Sequence, residues 1–176
     1  MTKQTMYNAD GSIIYDYRYE NEYNSSGNLT KQVTYNNGSF DNRTEYEYNS
    51  SGKQIKFVRY KADGSIDERT EFEYNSSGYV TKRISYKADG SISGGYEYEY
   101  DSSGKNLIKY VNFYYSEGSK RIGWWFEYEN NSKGDRIKQV QYNADESING
   151  KSEYTYTYIT ISLWSSNGRL KQQLSK

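Results

Sequence analysis

Glycines recur along this chain at a nearly constant spacing, and that spacing limits what the chain can fold into. Four of them end copies of one heptapeptide, such as Y-E-Y-N-S-S-G at Tyr46–Gly52, with spacings of 25, 26 and 26 residues: Gly27, Gly52, Gly78 and Gly104. A second set alternates with the first, with spacings of 27, 26, 26 and 28 residues: Gly11, Gly38, Gly64, Gly90 and Gly118. Two turns in each period of about 26 residues leave two segments of about ten residues, the length of the two strands of a β-hairpin.

The residues beside these glycines are those of tight hairpin turns. Asn49–Gly52 has Asn first and Gly fourth, which predicts a type I turn followed by a left-handed residue that forms a glycine bulge. Asn36-Asn37-Gly38 is one residue shorter and predicts a two-residue type I′ turn. Asn143–Glu146 has Glu where the pattern requires Gly, so Glu146 should either take up a strained positive φ or force another turn type.

These patterns predict an all-β fold, an antiparallel β-hairpin repeat meander of about 13 strands in a single-layer twisted or curled sheet. Each repeat of such an array contacts only its neighbours, so residues 1–176 are expected to form a single repeat domain. The repeats are most regular over 7–142, and 143–176 are expected to form a divergent C-terminal cap. In that cap we expect a strand irregularity at Tyr158/Ile159, a turn at Trp164–Gly168 and a final strand over Arg169–Lys176.

Alternate residues of each predicted strand divide into an apolar set and a charged set. In Ser65–Tyr74, Phe72 and Tyr74 lie on one face by the two-residue period, and the acids lie on the other. In Tyr79–Lys87, Ile84 and its alternate neighbours Val80 and Tyr86 form the apolar set. We therefore expect one aromatic and aliphatic face across the whole sheet and one charged face. Acidic and basic strands alternate, which predicts cross-strand ion pairs.

The rings of the apolar face should form one cross-strand ladder. Its predicted members are Tyr46, Tyr48, Phe72, Tyr74, Tyr96, Tyr98, Tyr100, Trp124, Phe126 and Tyr128. Ile, Val, Leu and Phe together number only 27 of 176 residues, so these rings should pack on one another and on Val58, Ile84 and Ile92 as the core. Trp124 and Trp125 are adjacent and should point to opposite faces, with Trp125 on the charged side.

Composition argues against several classes of function. Lys and Arg number 23, as do Asp and Glu, and a net charge of zero argues against nucleic acid and anionic membranes as partners. His and Cys are absent, so the common zinc sites and nucleophilic triads lack their parts, and we expect no metal and no cofactor. No apolar run is long enough to span a membrane. Paired acids such as Glu71 and Glu73 lie on an open charged face, which favours an ion-pair ladder over a glycosidase cleft.

The repeat unit resembles the tyrosine-aspartate (YD, or Rhs-type) repeat of bacterial surface and toxin-shell proteins. The resemblance rests on Tyr98–Gly104 (Y-E-Y-D-S-S-G) and Tyr48–Gly52 (Y-N-S-S-G), each followed by a strand and a second glycine turn, and it covers about 7–142. It implies a β-hairpin array located outside the cell or on its surface. Asn replaces Asp in most copies, and the period is longer than the family's shorter unit. Phrases such as Tyr7–Ser12 also look like the aromatic repeats that bind choline or glucans, although the repeating Trp of that family is missing.

Three functions are compatible with these features. The first is a non-enzymatic surface or secreted module that presents its tyrosine-rich face to a protein or glycan partner. The second is a purely structural or self-assembling spacer or shell element, with self-association through the aromatic face, and the third is a glycoside hydrolase. We expect no catalytic residues. The predicted binding residues are Trp124, Trp125, Tyr98, Tyr100, Tyr74 and Tyr48.

Overall fold

In a computed structural model, the chain forms antiparallel strands joined by short turns. The structure describes residues 2–158 and the backbone of strands 160–164 and 170–174. The strands are β1 Thr2–Tyr7, β2 Ile13–Tyr23, β3 Leu29–Asn36, β4 Ser39–Tyr48, β5 Gln54–Lys61, β6 Ile66–Tyr74, β7 Val80–Tyr86, β8 Ile92–Tyr100, β9 Leu107–Ser116, β10 Ser119–Asn130, β11 Arg136–Asn143, β12 Ile148–Glu153, β13 Thr160–Trp164 and β14 Leu170–Leu174.

Strands β1 to β12 form one open sheet in which each strand pairs with the next along the chain. Strands β13 and β14 pair only with each other. The predicted all-β antiparallel meander is confirmed. The predicted irregularity at Tyr158/Ile159 and the turn at Trp164–Gly168 involve residues outside the described part of the chain, as do the ends of the predicted last strand, Arg169–Lys176. The division of the chain at residue 143 stays a prediction.

The turns have the geometry that their sequences predict. At Asn49–Gly52, the Gly52 N–H donates to the Asn49 carbonyl at 2.9 Å, the Asn49 N–H donates to the Lys53 carbonyl at 2.9 Å, and Gly52 has a φ of 74°. Asn37 and Gly38 both have positive φ, as a type I′ turn requires. Glu146 has a φ of 68° and makes the same turn bond to Asn143 that a glycine would make. The hairpin turns and the strained Glu146 are therefore confirmed.

Beside nearly every turn the sheet contains a second irregularity that the sequence analysis missed. All eleven strand pairs of the large sheet have one register shift, which lies near the turn except in β9–β10, where it falls between Ile122 and Trp124. In β4–β5, for example, Glu47 pairs with Lys56 but Tyr48 pairs with Gln54. One strand thus carries an extra residue, and a one-residue shift moves every later side chain to the opposite face. The expected separation into an apolar face and a charged face is therefore wrong.

Both faces of the sheet instead mix apolar and polar side chains. We call the first the valine face, because its central row holds Val33, Val58, Ile84, Val111 and Val140. Val58 pairs with Glu45 on one side and Arg69 on the other, so the charged residues share this face. The valine face also holds the residues that form most of the buried apolar core: Val58, Val111, Phe113 and Val140.

The opposite face, which we call the tyrosine face, carries the rings of the acidic strands. On it Phe57 pairs with Thr70, which is fully buried. Phe72 pairs with Arg83, which pairs with Tyr96. Val58 and Ile84 had been expected to pack under these rings. They do not, because they belong to the valine face.

A three-residue contact repeats along the valine face and holds neighbouring strands in register. The Arg69 guanidinium lies 4.2 Å from the centre of the Tyr86 ring, and its Nη2 is 2.5 Å from a carboxylate oxygen of Glu71. We call this contact the arginine clamp. It recurs in two earlier repeats, as Arg18 with Tyr35 and Glu20 and as Arg43 with Tyr60 and Glu45. Each clamp combines a cation–π contact with an ion pair, and so stabilises one cross-strand register.

Candidate functional site: an aromatic cluster on the tyrosine face

Six rings lie together where β8, β9 and β10 cross the tyrosine face. Register brings them together, because Tyr98 pairs with Tyr110, Tyr110 pairs with Phe126, and Asn112 pairs with both Tyr96 and Trp124. We call the set the aromatic cluster: Tyr96, Tyr98, Tyr110, Trp124, Phe126 and Tyr128.

Tyr110 is the centre of this cluster. Its ring centroid lies 5.0 Å from that of Tyr98, 5.3 Å from that of Tyr96 and 5.4 Å from that of Trp124. Phe126 continues the set, 5.6 Å from Trp124 and 6.0 Å from Tyr128. These separations are typical of favourable aromatic pairs, each contributing about 0.5–1.5 kcal/mol beyond burial. All six rings are only half-buried, so the cluster is both a packed unit and an accessible surface.

The hydroxyls of Tyr98, Tyr110 and Tyr128 stay protonated over the physiological range. Burial raises the pKa of Tyr110 to about 12, with a further contribution from Tyr98 beside it. Burial also raises the pKa values of Tyr98 and Tyr128. These three phenols therefore add hydrogen-bonding groups to this surface but no negative charge.

The charges next to the cluster are cationic. The Arg136 guanidinium lies 3.8 Å from the centre of the Tyr128 ring, and that of Arg83 lies 5.9 Å from the centre of Tyr96. The carboxylates of β8 and β10 point to the valine face, as their cross-strand partners show. Glu97 pairs with Val111 and Glu99 with Lys109. Glu127 pairs with Val140 and Glu129 with Lys138. The cluster therefore combines aromatic rings with guanidinium groups, away from these four acids.

The predicted continuous ladder is wrong in extent. Arg83 lies between Phe72 and Tyr96 in the register and separates the cluster from an earlier ring pair, Phe57 and Phe72, whose centroids are 6.5 Å apart. Tyr60 and Tyr86 lie outside the cluster, since they stack on clamp arginines of the valine face.

Three of the predicted binding residues, Tyr48, Tyr74 and Tyr100, have their hydroxyls bonded within the array. Tyr48 donates to the Leu29 carbonyl at 2.7 Å, and Tyr74 and Tyr100 make the equivalent bonds to Gln54 and Val80 at 2.6 and 2.8 Å. Tyr156 repeats this contact with the Arg136 carbonyl at 2.9 Å. Each bond satisfies a main-chain acceptor about 20 residues earlier, so these tyrosines connect successive repeats.

Trp125 points to the face opposite Trp124, as predicted, but that face is the mixed valine face rather than a charged one, and Trp125 is half-buried there. Its indole stacks on Tyr142, with ring centroids 4.9 Å apart and planes 12° apart, and its Nε1 donates to Glu127 at 3.2 Å. Trp125 thus takes the place of the arginine in a clamp, since it has the same tyrosine partner across the strands and the same acid two residues later.

The structure therefore brings together two of the six predicted binding residues, Tyr98 and Trp124, and separates the other four from them. A binding role for all six stays a prediction. Tyr110, Arg83 and Arg136 were not predicted as site residues, because the register shift decides which face each of them lies on. A partial signal was available, since in four of the five repeats a Lys follows the Glu by nine residues, as in Glu47 and Lys56 or Glu129 and Lys138; in the repeat that holds Tyr110, Lys109 follows Glu99 by ten.

The described residues form no metal-binding group of acids, and Glu71, one of the paired acids of the charged strands, has a lowered pKa. In residues 2–158 and the two C-terminal strands, no cluster of three or more His, Cys, Asp or Glu could hold a metal ion. Burial raises the pKa of Glu71, but hydrogen bonds from Tyr86 and Arg69 outweigh it, so the pKa lies below its ordinary value. A general acid needs the opposite shift. Over the same residues, no helix is long and apolar enough to span a membrane.

No protein-family model matches this sequence, and no curated protein matches it. Among solved structures, a chain of the TcdB2–TccC3–Cdc42 crystal structure is similar at 14% identity and a TM-score of 0.48, over 98% of this chain and 10% of that one. A chain of the Tc holotoxin pore of Photorhabdus luminescens is similar at 14% identity and a TM-score of 0.50, with the same coverage. A porin-like protein from Bacteroides uniformis is similar at 10% identity and a TM-score of 0.46, over 98% of this chain and 87% of that protein.

The likeness to the holotoxin chain is one of fold. At 14% identity it shows a shared β-meander. This chain spans about a tenth of the length of the toxin chains that it matches. It therefore corresponds in size to one segment of such a protein.

Proposed function

We propose that this chain is a non-enzymatic repeat scaffold, of the YD/Rhs type and located outside the cell or on its surface, whose aromatic cluster binds a protein partner. The observation that carries the proposal is the composition of the cluster. Tyr, Trp, Phe and Arg are the residue types enriched at protein interfaces, whereas Lys, Glu and Asp are depleted there. The six rings with Arg83 and Arg136 fit this description, since the acids of β8 and β10 point to the other face.

Charge defines the chemistry of the expected partner. Arg136 and Arg83 each lie over a ring of the cluster, so a bound surface gains most from apolar groups bordered by carboxylates. The fold likeness to a chain of the Tc holotoxin, a multi-protein assembly, adds support for a protein partner. The rest of the sheet is the support, because the repeat-to-repeat tyrosine bonds and the arginine clamps hold the strands that carry the cluster.

The proposal is tested by selecting peptides from a random display library on the purified chain. We expect binders that carry apolar residues flanked by Asp or Glu. Trp124→Ala with Phe126→Ala should weaken their binding at least about tenfold, equivalent to about 1.4 kcal/mol. Trp125→Ala is the matched control, because it removes an adjacent tryptophan from the opposite face, and it should leave binding unchanged.

Two outcomes would overturn the proposal. If no peptide is enriched, or if the selected peptides bind the cluster variant as tightly as the wild type, the chain is a spacer rather than a binding module. The same variants should also be applied to an array of immobilised glycans. If the wild type binds a glycan and the Trp124→Ala, Phe126→Ala variant does not, the partner of the aromatic cluster is a carbohydrate rather than a protein.

A further inference from the structure

The first and last strands of the large sheet are each hydrogen-bonded on one side only within the described chain. Residues at these two edges are exposed, whereas residues at the same repeat position inside the sheet are half-buried. Tyr7 is 59% exposed, whereas its counterpart Tyr86 is half-buried; Ile148 is 62% exposed, whereas Ile66 is half-buried. The two edges thus have the exposure of interior strands from which one neighbour has been removed.

Strand β12 retains the contacts of an interior acidic strand. Lys151 pairs with Glu153 at 2.7 Å, in the place of Arg69 and Glu71 in β6. The Tyr156 hydroxyl bonds to the Arg136 carbonyl as that of Tyr74 bonds to Gln54. By these contacts β12 matches β6, whose next neighbour in the sheet is β7.

Strand β1 has the residue spacing of β7. Lys3, Thr5 and Tyr7 precede the turn Asn8–Gly11 as Lys82, Ile84 and Tyr86 precede the turn 87–90. The pairing to the following strand also corresponds, since Tyr7 pairs with Ile13 and Tyr86 pairs with Ile92. The outer edge of β1 is therefore complementary to a strand of the β6 type.

We propose that β12 of one copy pairs with β1 of a second copy in the register that joins β6 to β7. In that register Arg69 pairs with Tyr86 and Glu71 with Ile84. Between copies, Lys151 would lie opposite Tyr7 of the second copy, and Glu153 opposite Thr5. Lysine over the tyrosine ring would replace the guanidinium of the arginine clamp. The two joined surfaces differ, so the association is head-to-tail and extends the sheet rather than forming a symmetric two-fold interface.

Disulfide trapping tests this register directly, since the chain has no cysteine of its own. Directly opposed residues in an antiparallel pair have Cα atoms roughly 4.5–5.5 Å apart, which a disulfide can bridge. Copies carrying Tyr7→Cys and copies carrying Lys151→Cys are mixed and oxidised. We expect the mixed 7–151 disulfide, and a ladder of disulfide-linked multimers when both substitutions are in one chain.

Met6→Cys is the matched control, because residue 6 adjoins residue 7 on the same strand but points to the other face; it should give only background crosslinking with Lys151→Cys. Light scattering of the wild type between micromolar and millimolar concentrations should show mass rising without a fixed stoichiometry. A strictly monomeric wild type with no excess of the 7–151 disulfide over the control would overturn the proposal. Preferential 7–7 disulfides would also overturn it, since they indicate symmetric β1–β1 pairing.

Discussion

The Tyr74 hydroxyl donates a 2.6 Å hydrogen bond to the main-chain carbonyl of Gln54, 20 residues earlier in the chain. Equivalent bonds join Tyr48 to Leu29 and Tyr100 to Val80. In one later repeat an asparagine takes the same role, since the Asn130 amide donates to the Leu107 carbonyl at 3.0 Å. The repeating bond explains why a tyrosine recurs before the turns at Asn49, Asn75 and Asp101: it provides a donor for a carbonyl of the preceding repeat.

Tyr74→Phe should lower the free energy of unfolding by about 1 kcal/mol, because it removes the donor and leaves the Gln54 carbonyl partly desolvated. Urea denaturation of both proteins measures the difference. Tyr114→Phe is the control, since Tyr114 is exposed and its substitution should change little. Equal losses in the two variants would mean that the hydroxyl bond does not connect the repeats energetically.

Trp125→Arg should leave stability within about 1 kcal/mol of the wild type, since the guanidinium can stack on Tyr142 and pair with Glu127 as in the arginine clamps. Trp125→Ala removes both contacts and should cost about 1–2 kcal/mol. Thermal unfolding of the three proteins compares them. If the Arg variant were as unstable as the Ala variant, the equivalence of Trp125 with the clamp arginines would be wrong.

Glu146→Gly should stabilise the protein by up to about 1 kcal/mol. Glu146 has a φ of 68°, where an L-residue is strained and glycine is not, although the greater freedom of glycine in the unfolded chain offsets part of the gain. Glu146→Ala retains the β-carbon and removes the charge, so it should behave like the wild type. If the Ala variant were as stable as the Gly variant, the gain in stability would come from removing the charge of Glu146 and not from relieving backbone strain.

The turns could be predicted from the sequence because their chemistry is local. Asn at the first position and Gly at the fourth define a backbone geometry within four residues, and the φ of 74° at Gly52 is its direct consequence. The faces could not be assigned in the same way, since they depend on a register shift in the adjoining strand, between Glu47 and Tyr48. Strand periodicity fixes which residues alternate, but only the pairing fixes which sets share a face.

The candidate site was predicted only in part for the same reason. Tyr98 and Trp124 belong to acidic strands, where Tyr-x-Tyr patterns identify the ring-bearing side. Tyr110 is on a basic strand next to Val111, and the valine indicated a core position that lies on the opposite face. The pairing of Glu99 with Lys109 places Tyr110 on the side of Tyr98, because residues adjacent to a charge pair point away from it. These two residues are ten apart, whereas the matching pair Glu47 and Lys56 is nine apart, so the spacing alone did not predict this pairing.

Stability at low pH should depend on the turn acids, most strongly on Asp101. Hydrogen bonds from Ser103 and then Asn106 lower the pKa of Asp101 from 3.8 to about 2. Because the folded-state pKa is below the unfolded one, the contribution of this group is fully present above about pH 4 and is lost as the pH falls towards 2. The midpoint of thermal unfolding should therefore fall over this range in the wild type.

Asp101→Asn provides the matched comparison, since Asn takes the equivalent position in other repeats, at Asn49 and Asn75, and bonds to the same turn amides. The variant should fold, and its unfolding midpoint should decline less between pH 4 and pH 2 than that of the wild type, because one ionised acceptor no longer titrates. Four other turn acids also have lowered pKa values, and the substitution leaves them in place: Asp10, Asp63, Asp89 and Asp145. Part of the decline in the unfolding midpoint should therefore persist in the variant. Parallel declines in the two proteins would mean that the ionised form of Asp101 does not stabilise its turn.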